Sequence, residues 1–281
     1  MVLRKALTIA GSDSGSGAGV QADLKTFAAL GVYGSSAVTA VTAQNTQKVS
    51  AVHVVPASIV TEQINSILTD IGADAIKSGM LANAEIIEAV AAALRRFSDI
   101  PLVVDPVMLA KNGETLLAKD AVQKLREVLL PLAEIVTPNL PEAEALTGRT
   151  LRTESDFETA VKAISDMGAR NVVLKGGHRP PRQIGSKLHV VVDLFYDGKK
   201  ARPVEGPFID TPHTHGTGCT FASAITAGLA RELDPFSAVV EAREYLTEAL
   251  RTAFSIGHGK SPVHHFHQWW NLEPDLNGRS E

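Results

Sequence analysis

Five loop segments carry residues whose types and spacing suit the handling of a phosphate-like anion. The most specific is Asp210-Thr-Pro-His-Thr-His-Gly216-Thr-Gly-Cys219, which opens an apolar helix. Gly216 and Gly218 remove side chains, so several backbone N–H groups can converge on one anion. The helix dipole adds roughly half a positive charge at that end. Cys219, in the first turn, is expected to have its thiol shifted below the ordinary ~8.5, setting a base beside an anion hole. A buried, inert cysteine is the bland alternative. Lys175-Gly-Gly follows an apolar run and can meet a phosphate as a compact point charge; a solvated surface lysine is the alternative. Asp105, closing Leu102-Val-Val-Asp, can hold Mg²⁺ directly or through water, or merely turn the chain before Pro106. Asn139 and Glu142, three apart at a helix start, sit on one side near phosphate and metal, unless they form only a capping box. Gly11-Ser-Asp-Ser-Gly-Ser-Gly-Ala-Gly19 fits neither G-x-G-x-x-G nor a Walker A loop, yet it lets backbone N–H groups approach a ligand.

These segments need elements to position them, and the hydrophobic period supplies them. Short β-branched runs predict strands over Leu7–Ala10, Ser36–Thr42, Val49–Val55, Ala75–Lys77, Leu102–Asp105, Ile135–Thr137 and Val172–Leu174. Helices are expected over Gln21–Leu30, Ile59–Ile71, Glu85–Phe97, Ala121–Leu130, Pro141–Leu146, Glu154–Met167, Thr220–Leu229 and Pro235–Phe254. Such alternation means parallel βαβ units with helices on both faces of one sheet. Val190–Tyr196 and Ala201–Val204 flank Asp197-Gly198 and predict an antiparallel edge hairpin. The expected architecture is a three-layer α/β/α sandwich in a single domain, residues 1–281, with 257–281 as a docking tail. In such sheets ligands bind beyond the carboxyl ends of the strands, where the anion-handling segments fall.

Composition narrows the function further. The chain has 281 residues, 44% hydrophobic and 21% charged, and a formal net charge of −4. No basic field exists to hold a nucleic-acid backbone. No apolar run approaches the ~18 residues of a membrane span, and Ala6–Ala10 is too short for a signal peptide, so a cytoplasmic protein is expected. The single cysteine excludes an intrachain disulfide and every CxxC pattern. His258, His264, His265 and His267 match no zinc spacing, and with Trp269-Trp270 they suggest docking rather than metal.

Taken together the motifs resemble the ribokinase superfamily, and within it the bacterial hydroxymethylpyrimidine/phosphomethylpyrimidine kinases of thiamine biosynthesis. The strings that carry the resemblance run in order over nearly the whole chain: Gly11-Ser-Asp-Ser through Phe27, Thr39 through Thr46, Lys77-Ser-Gly-Met80, Val104 through Met108, Thr137 through Ala143, and His215-Gly-Thr-Gly-Cys219. The resemblance implies a pyrimidine held near Gly11, Asp23, Gln44, Met80 and Val107. It implies Mg²⁺ at Asp105 and Glu142. ATP would meet Asn139, Glu142, Lys175, Thr211 and His213, and the anion hole would be Gly216, Gly218 and Cys219. Cys219 stands where the wider superfamily usually has a catalytic aspartate. Two departures are Ser16, where glycine is often found, and His213, where asparagine is frequent.

The implied activity is ATP-dependent phosphorylation of 4-amino-5-hydroxymethyl-2-methylpyrimidine and then of its monophosphate, by a homodimer. Three alternatives stand beside it: a pyridoxal/pyridoxine kinase of the same branch, a non-catalytic pyrimidine sensor, and a thiol hydrolase built from Cys219, His215 and Asp210.

Overall fold

Alternating apolar residues divide every central strand between two helical layers. The computed structural model describes residues 2–108, 119–178, 181–184 and 188–270. Residues 271–281 of the expected tail lie outside them. The strands are β1 (Lys5–Asp13), β2 (Tyr33–Gln44), β3 (Val49–Val54), β4 (Ala75–Ser78), β5 (Leu102–Val104), β6 (Ile135–Val136), β7 (Asn171–Leu174), β8 (Arg182–Ile184), β9 (Leu188–Tyr196) and β10 (Ala201–Pro207). The helices are α1 (Gly19–Ala29), α2 (Ala57–Asp70), α3 (Ala84–Leu94), α4 (Lys119–Lys124), α5 (Leu140–Thr147), α6 (Glu154–Ser165), α7 (Thr217–Ala230) and α8 (Pro235–Arg251).

The strands form one sheet in the order β10-β9-β7-β6-β5-β4-β1-β2-β3, with β8 paired to β9. The centre, from β7 to β2, is parallel. Leu102 and Val104 of β5 pack with Val60, Ile64 and Leu68 of α2 and with α3 to α6, while Val103 faces Phe221 and Ile225 of α7 and the helices α1 and α8. Near-continuous apolar strands are what two covered faces require. The three-layer α/β/α sandwich expected from the sequence is therefore the observed fold.

Differences at the margins have local causes. Beside the expected β9–β10 hairpin, the opposite edge is also antiparallel, because Asn45–Lys48 is too short for a crossover and returns β3 alongside β2. In α2 the buried stripe is Val60, Ile64 and Leu68, spaced four apart, which turns Ile59 outward to 51% exposure. The strand expected to end at Ala10 runs on to Asp13, so Gly11 is part of β1 rather than the start of a loop. β8 was not expected.

Candidate active site

The sheet order reverses between β1 and β4, because α1 leaves β1 on one face while α2 enters β4 on the other. Such a switch point opens a crevice at the strands' carboxyl ends. Here it holds a cavity of about 780 Å³. Its lining includes Gly11, Gln44, Met80, Asp105, Val107, Asn139, Glu142, Lys175, Gly216, Gly218 and Cys219. Residues widely spread in sequence thus meet because each follows a neighbouring strand.

The charged group is built from three of those strand ends. Lys175 Nζ lies 2.9 Å from Asp105 Oδ1 and 3.7 Å from Glu142 Oε2, with all three side chains largely buried. Thr137 Oγ1 donates to Asp105 at 3.2 Å. Lys175 is therefore no surface lysine. Burial works against the Asp105 charge, but Lys175 and Lys77 outweigh it and hold the carboxyl below its ordinary range. Glu142 behaves oppositely: burial, with Asp105 nearby, pushes it up to about 7 despite Lys175. Asn139 and Glu142 do form a capping box, with Asn139 Oδ1 accepting from Glu142 N–H at 2.9 Å and Glu142 Oε2 from Asn139 N–H at 2.7 Å. The cap fixes Glu142 beside Lys175, so both meanings of that spacing hold at once.

The start of α7 faces this group. Gly216 is its N-cap at φ +77°, a left-handed conformation that glycine adopts freely. A Cβ there would lie 1.8 Å from Gly17 O, so nothing larger allows the two loops to meet. A Cβ on Gly218 would lie 3.6 Å from Lys175 Nζ and 3.7 Å from Asp105 Oδ2, which puts the first turn of α7 directly over the ion pair. The N–H groups of Gly218 and Cys219 are among those a helix leaves without internal partners, and no side chain caps them.

Cys219 departs from expectation. Its thiol is pushed up to about 11, not down: burial dominates, Asp23 and Asp105 add to it, and Lys77 and the Gly19 N–H only partly oppose it. The thiol is thus protonated near neutral pH. His215 does not activate it either, since its Nε2 lies 2.9 Å from Asp13 Oδ2 and 3.4 Å from Gln44 Nε2. The thiol-hydrolase arrangement is not formed.

Asp23, which the resemblance implies at the ring, is fully buried. Because α1 begins at Gly19, Asp23 falls in the second turn, beyond the strongest reach of the helix terminus. It does not line the cavity. Its carboxylate accepts from Lys77 Nζ at 2.9 and 3.0 Å, from Thr8 Oγ1 at 2.6 Å and from Ser223 Oγ at 2.6 Å. Burial disfavours the Lys77 charge, but Asp23 above all keeps the ammonium above its ordinary range. Thr211 and His213 fall outside the lining too, joined by His213 N–H donating to Thr211 Oγ1 at 3.2 Å.

Two contributors escaped the sequence reading. Asp13 is buried and collects the N–H groups of Gly15, Gly17 and Ala18 at 2.8, 3.1 and 2.9 Å. An Asp two residues before a glycine is an Asx-turn signal, and it was available. The second is a strap, residues 257–267, that roofs the cavity. Gly259 and Lys260 line it; Gly259 N–H donates to Thr46 Oγ1 at 3.1 Å and Lys260 N–H to Thr46 O at 3.0 Å. Buried His265 anchors the strap, 3.1 Å from Thr220 Oγ1, with its carbonyl accepting from Tyr245 OH at 2.5 Å.

The phosphomethylpyrimidine kinase family profile matches residues 13–264. The chain belongs to that family. The family match runs from the Asp13 loop into the strap and takes in all of the cavity lining except Ala10, Gly11 and Ser12. A hydroxymethylpyrimidine/phosphomethylpyrimidine kinase of Rhizobium meliloti is 49% identical over 268 residues, covering 94% of this chain and 98% of that protein. Among solved structures, a phosphomethylpyrimidine kinase from Clostridium difficile 630 is 40% identical with a TM-score of 0.76, covering 88% of this chain and 99% of that one. A Bacillus subtilis pyridoxal kinase, solved as an ADP complex, is 39% identical with a TM-score of 0.86, covering 96% and 100%. This family's fold is thus shared with a kinase named for a different ring.

Proposed function

We propose that this protein uses ATP to phosphorylate the hydroxymethyl group of 4-amino-5-hydroxymethyl-2-methylpyrimidine, and then the monophosphate to the diphosphate, in thiamine biosynthesis. One observation carries the reading: a single cavity joins the Lys175–Asp105–Glu142 group and the uncapped start of α7 to a wall of Gly11, Gln44, Met80 and Val107. The names of the family and of its relatives supply the substrate class. Gln44 offers donor and acceptor to an aminopyrimidine edge, and Met80 and Val107 offer apolar faces.

The donor set fits Mg²⁺. Asp105 and Glu142 are hard oxygen donors, buried yet lining the cavity, and Mg²⁺ is commonly held by one or two carboxylates plus phosphate oxygens and water. When bound, the ion would neutralise triphosphate charge. Phosphoryl transfer otherwise needs positioning and charge stabilisation more than covalent help. Lys175 and the N–H groups of Gly218 and Cys219 would meet charge on the transferred group. Cys219 enters as a neutral thiol beside them. A cytoplasmic homodimer is part of this reading on the strength of the resemblance, and light scattering of the purified protein tests the dimer.

Mass spectrometry of protein incubated with Mg·ATP and either hydroxymethylpyrimidine or pyridoxal tests the reaction. Pyrimidine mono- and diphosphate with ADP is the expected result. Pyridoxal phosphate alone would move the substrate to the neighbouring ring, for which the likeness to the Bacillus subtilis pyridoxal kinase is the favouring observation. Tight pyrimidine binding with no ADP would leave a sensor.

A further inference from the structure

His215 lies at a junction that the roles above do not use. Its Nε2 lies 2.9 Å from Asp13 Oδ2, and its backbone N–H donates to Ser261 O of the strap at 3.1 Å. A Cβ on Gly17 would lie 2.2 Å from His215 Cδ2, so the imidazole ring lies against the glycine loop. The next residue, Gly216, is the N-cap of α7 and also meets this loop, since a Cβ on it would lie 1.8 Å from Gly17 O. The loop therefore touches both a ring and a helix cap at Gly17, and one side chain supplies the ring.

The proton on that ring can be placed by chemistry. Burial opposes ionisation of Asp13, but the His215 hydrogen bond and the Gly15 and Ala18 N–H groups outweigh it and hold the carboxyl below its ordinary range. An ionised carboxylate only accepts, so His215 Nε2 carries the hydrogen and donates it. The Gln44 amide, 3.4 Å from the same ring nitrogen, adjoins this pair. The amide also lies 3.2 Å from Thr42 Oγ1, whose one hydrogen has Ser12 O at 2.9 Å as its nearer acceptor.

We propose that His215 is a positioning residue that locks the glycine loop to the start of α7 through Asp13, and so sets the anion hole in register with Gln44. The proposal rests on the kinase reading for its effect on turnover. The locking itself does not. The Nε2–H is taken by Asp13, so a contact between that atom and a phosphate would break the lock.

Three variants decide it. Glutamine places an Nε2 at the same bond distance from Cα as histidine, whereas asparagine stops one bond short. In His215→Asn, with the loop loosened, kcat should fall about tenfold while the pyrimidine KM stays within about twofold, as misplacement of a charge-stabilising group predicts. His215→Gln should restore kcat to within about threefold of wild type. Hydrogen exchange is read in parallel on the free protein: the Gly15, Gly17 and Ala18 amides should exchange at least about fivefold faster in His215→Asn and near wild-type rates in His215→Gln. Asp13→Asn should reproduce the His215→Asn exchange pattern. Protected Val103 and Val104 amides confirm that each variant is folded.

Equal kcat losses in the glutamine and asparagine variants would overturn the proposal, since they mean the imidazole itself serves the substrate. So would unchanged loop exchange in His215→Asn, or a raised KM with kcat intact. Should the wild-type protein form no pyrimidine phosphate, the functional reading falls, and the exchange result alone still decides whether His215 locks the loop.

Discussion

The Lys77 ammonium and the Asp23 carboxylate meet at 2.9 Å with neither side chain exposed to solvent. The pair ties the middle of the sheet, β4, to α1, and Ser223 brings in α7. It forms the ground on which the cavity and Cys219 rest. A buried pair of this kind is costly to break on one side, because the survivor is left charged and unmatched.

Asp23→Ala should therefore destabilise the protein by about 3–5 kcal/mol, read as a lower denaturant midpoint. The resemblance instead puts Asp23 at the pyrimidine. A variant of normal stability that had lost pyrimidine affinity would support that place and refute the structural one.

Lys175→Met should lower kcat by roughly 10²- to 10³-fold, the loss typical of removing one charge-stabilising donor. Steady-state kinetics with the pyrimidine checks it. A change confined to KM would mean that Lys175 holds the ground state and the transition state alike.

Cys219 supplies a test that needs no substrate. With the thiol pushed up to about 11, alkylation by iodoacetamide should be slow at pH 7.5 and keep rising through pH 9, without a plateau near the ordinary cysteine value. A plateau below pH 8 would restore the depressed thiol expected from the helix start. Cys219→Ala should cost turnover far more than ATP affinity, and unchanged turnover would remove the residue from the chemistry.

The strap predicts a pH dependence. Burial, with Lys25 and neighbouring histidines adding to it, drives the His265 imidazole down to about 3. The folded state then binds fewer protons than the unfolded one between pH 3 and the ordinary histidine value of 6.5. Stability present above that value should be lost as pH falls through the window, at up to about 1.4 kcal/mol per pH unit for one proton. His265→Gln keeps a side-chain donor and cannot titrate, so its denaturant midpoint should fall less between pH 7.5 and 5. Parallel curves for the two proteins would show that the proton is taken up elsewhere.

Much of this was legible in the residues, for identifiable reasons. The period of apolar residues located every central strand and helix, and strand ends in a parallel sheet must converge, so Asp105, Asn139, Glu142 and Lys175 could be placed around one crevice before any coordinates. Pairings were harder. Nothing in the spacing of Asp23 and Lys77, 54 residues apart, says that they meet. Their partnership arises only when β4 is laid beside β1, and strand order is not encoded in local pattern. Cys219 was misread for a related reason. A helix start lowers a thiol in water-filled surroundings, but the burial that raises it here, with Asp23 and Asp105 adding to it, depends on that same strand order.

The strap leaves one consequence for how the molecule is made. Thr46 and Gly259 are 213 positions apart. Every strand and helix among the described residues precedes residue 257, so the sheet can assemble during synthesis while its pocket still lacks a ceiling. Long-range closures of this sort come late in folding. A nascent chain holding the ten described strands would have the fold and an open crevice, and the capacity to shut water out would arrive only once residues 257–267 had been made.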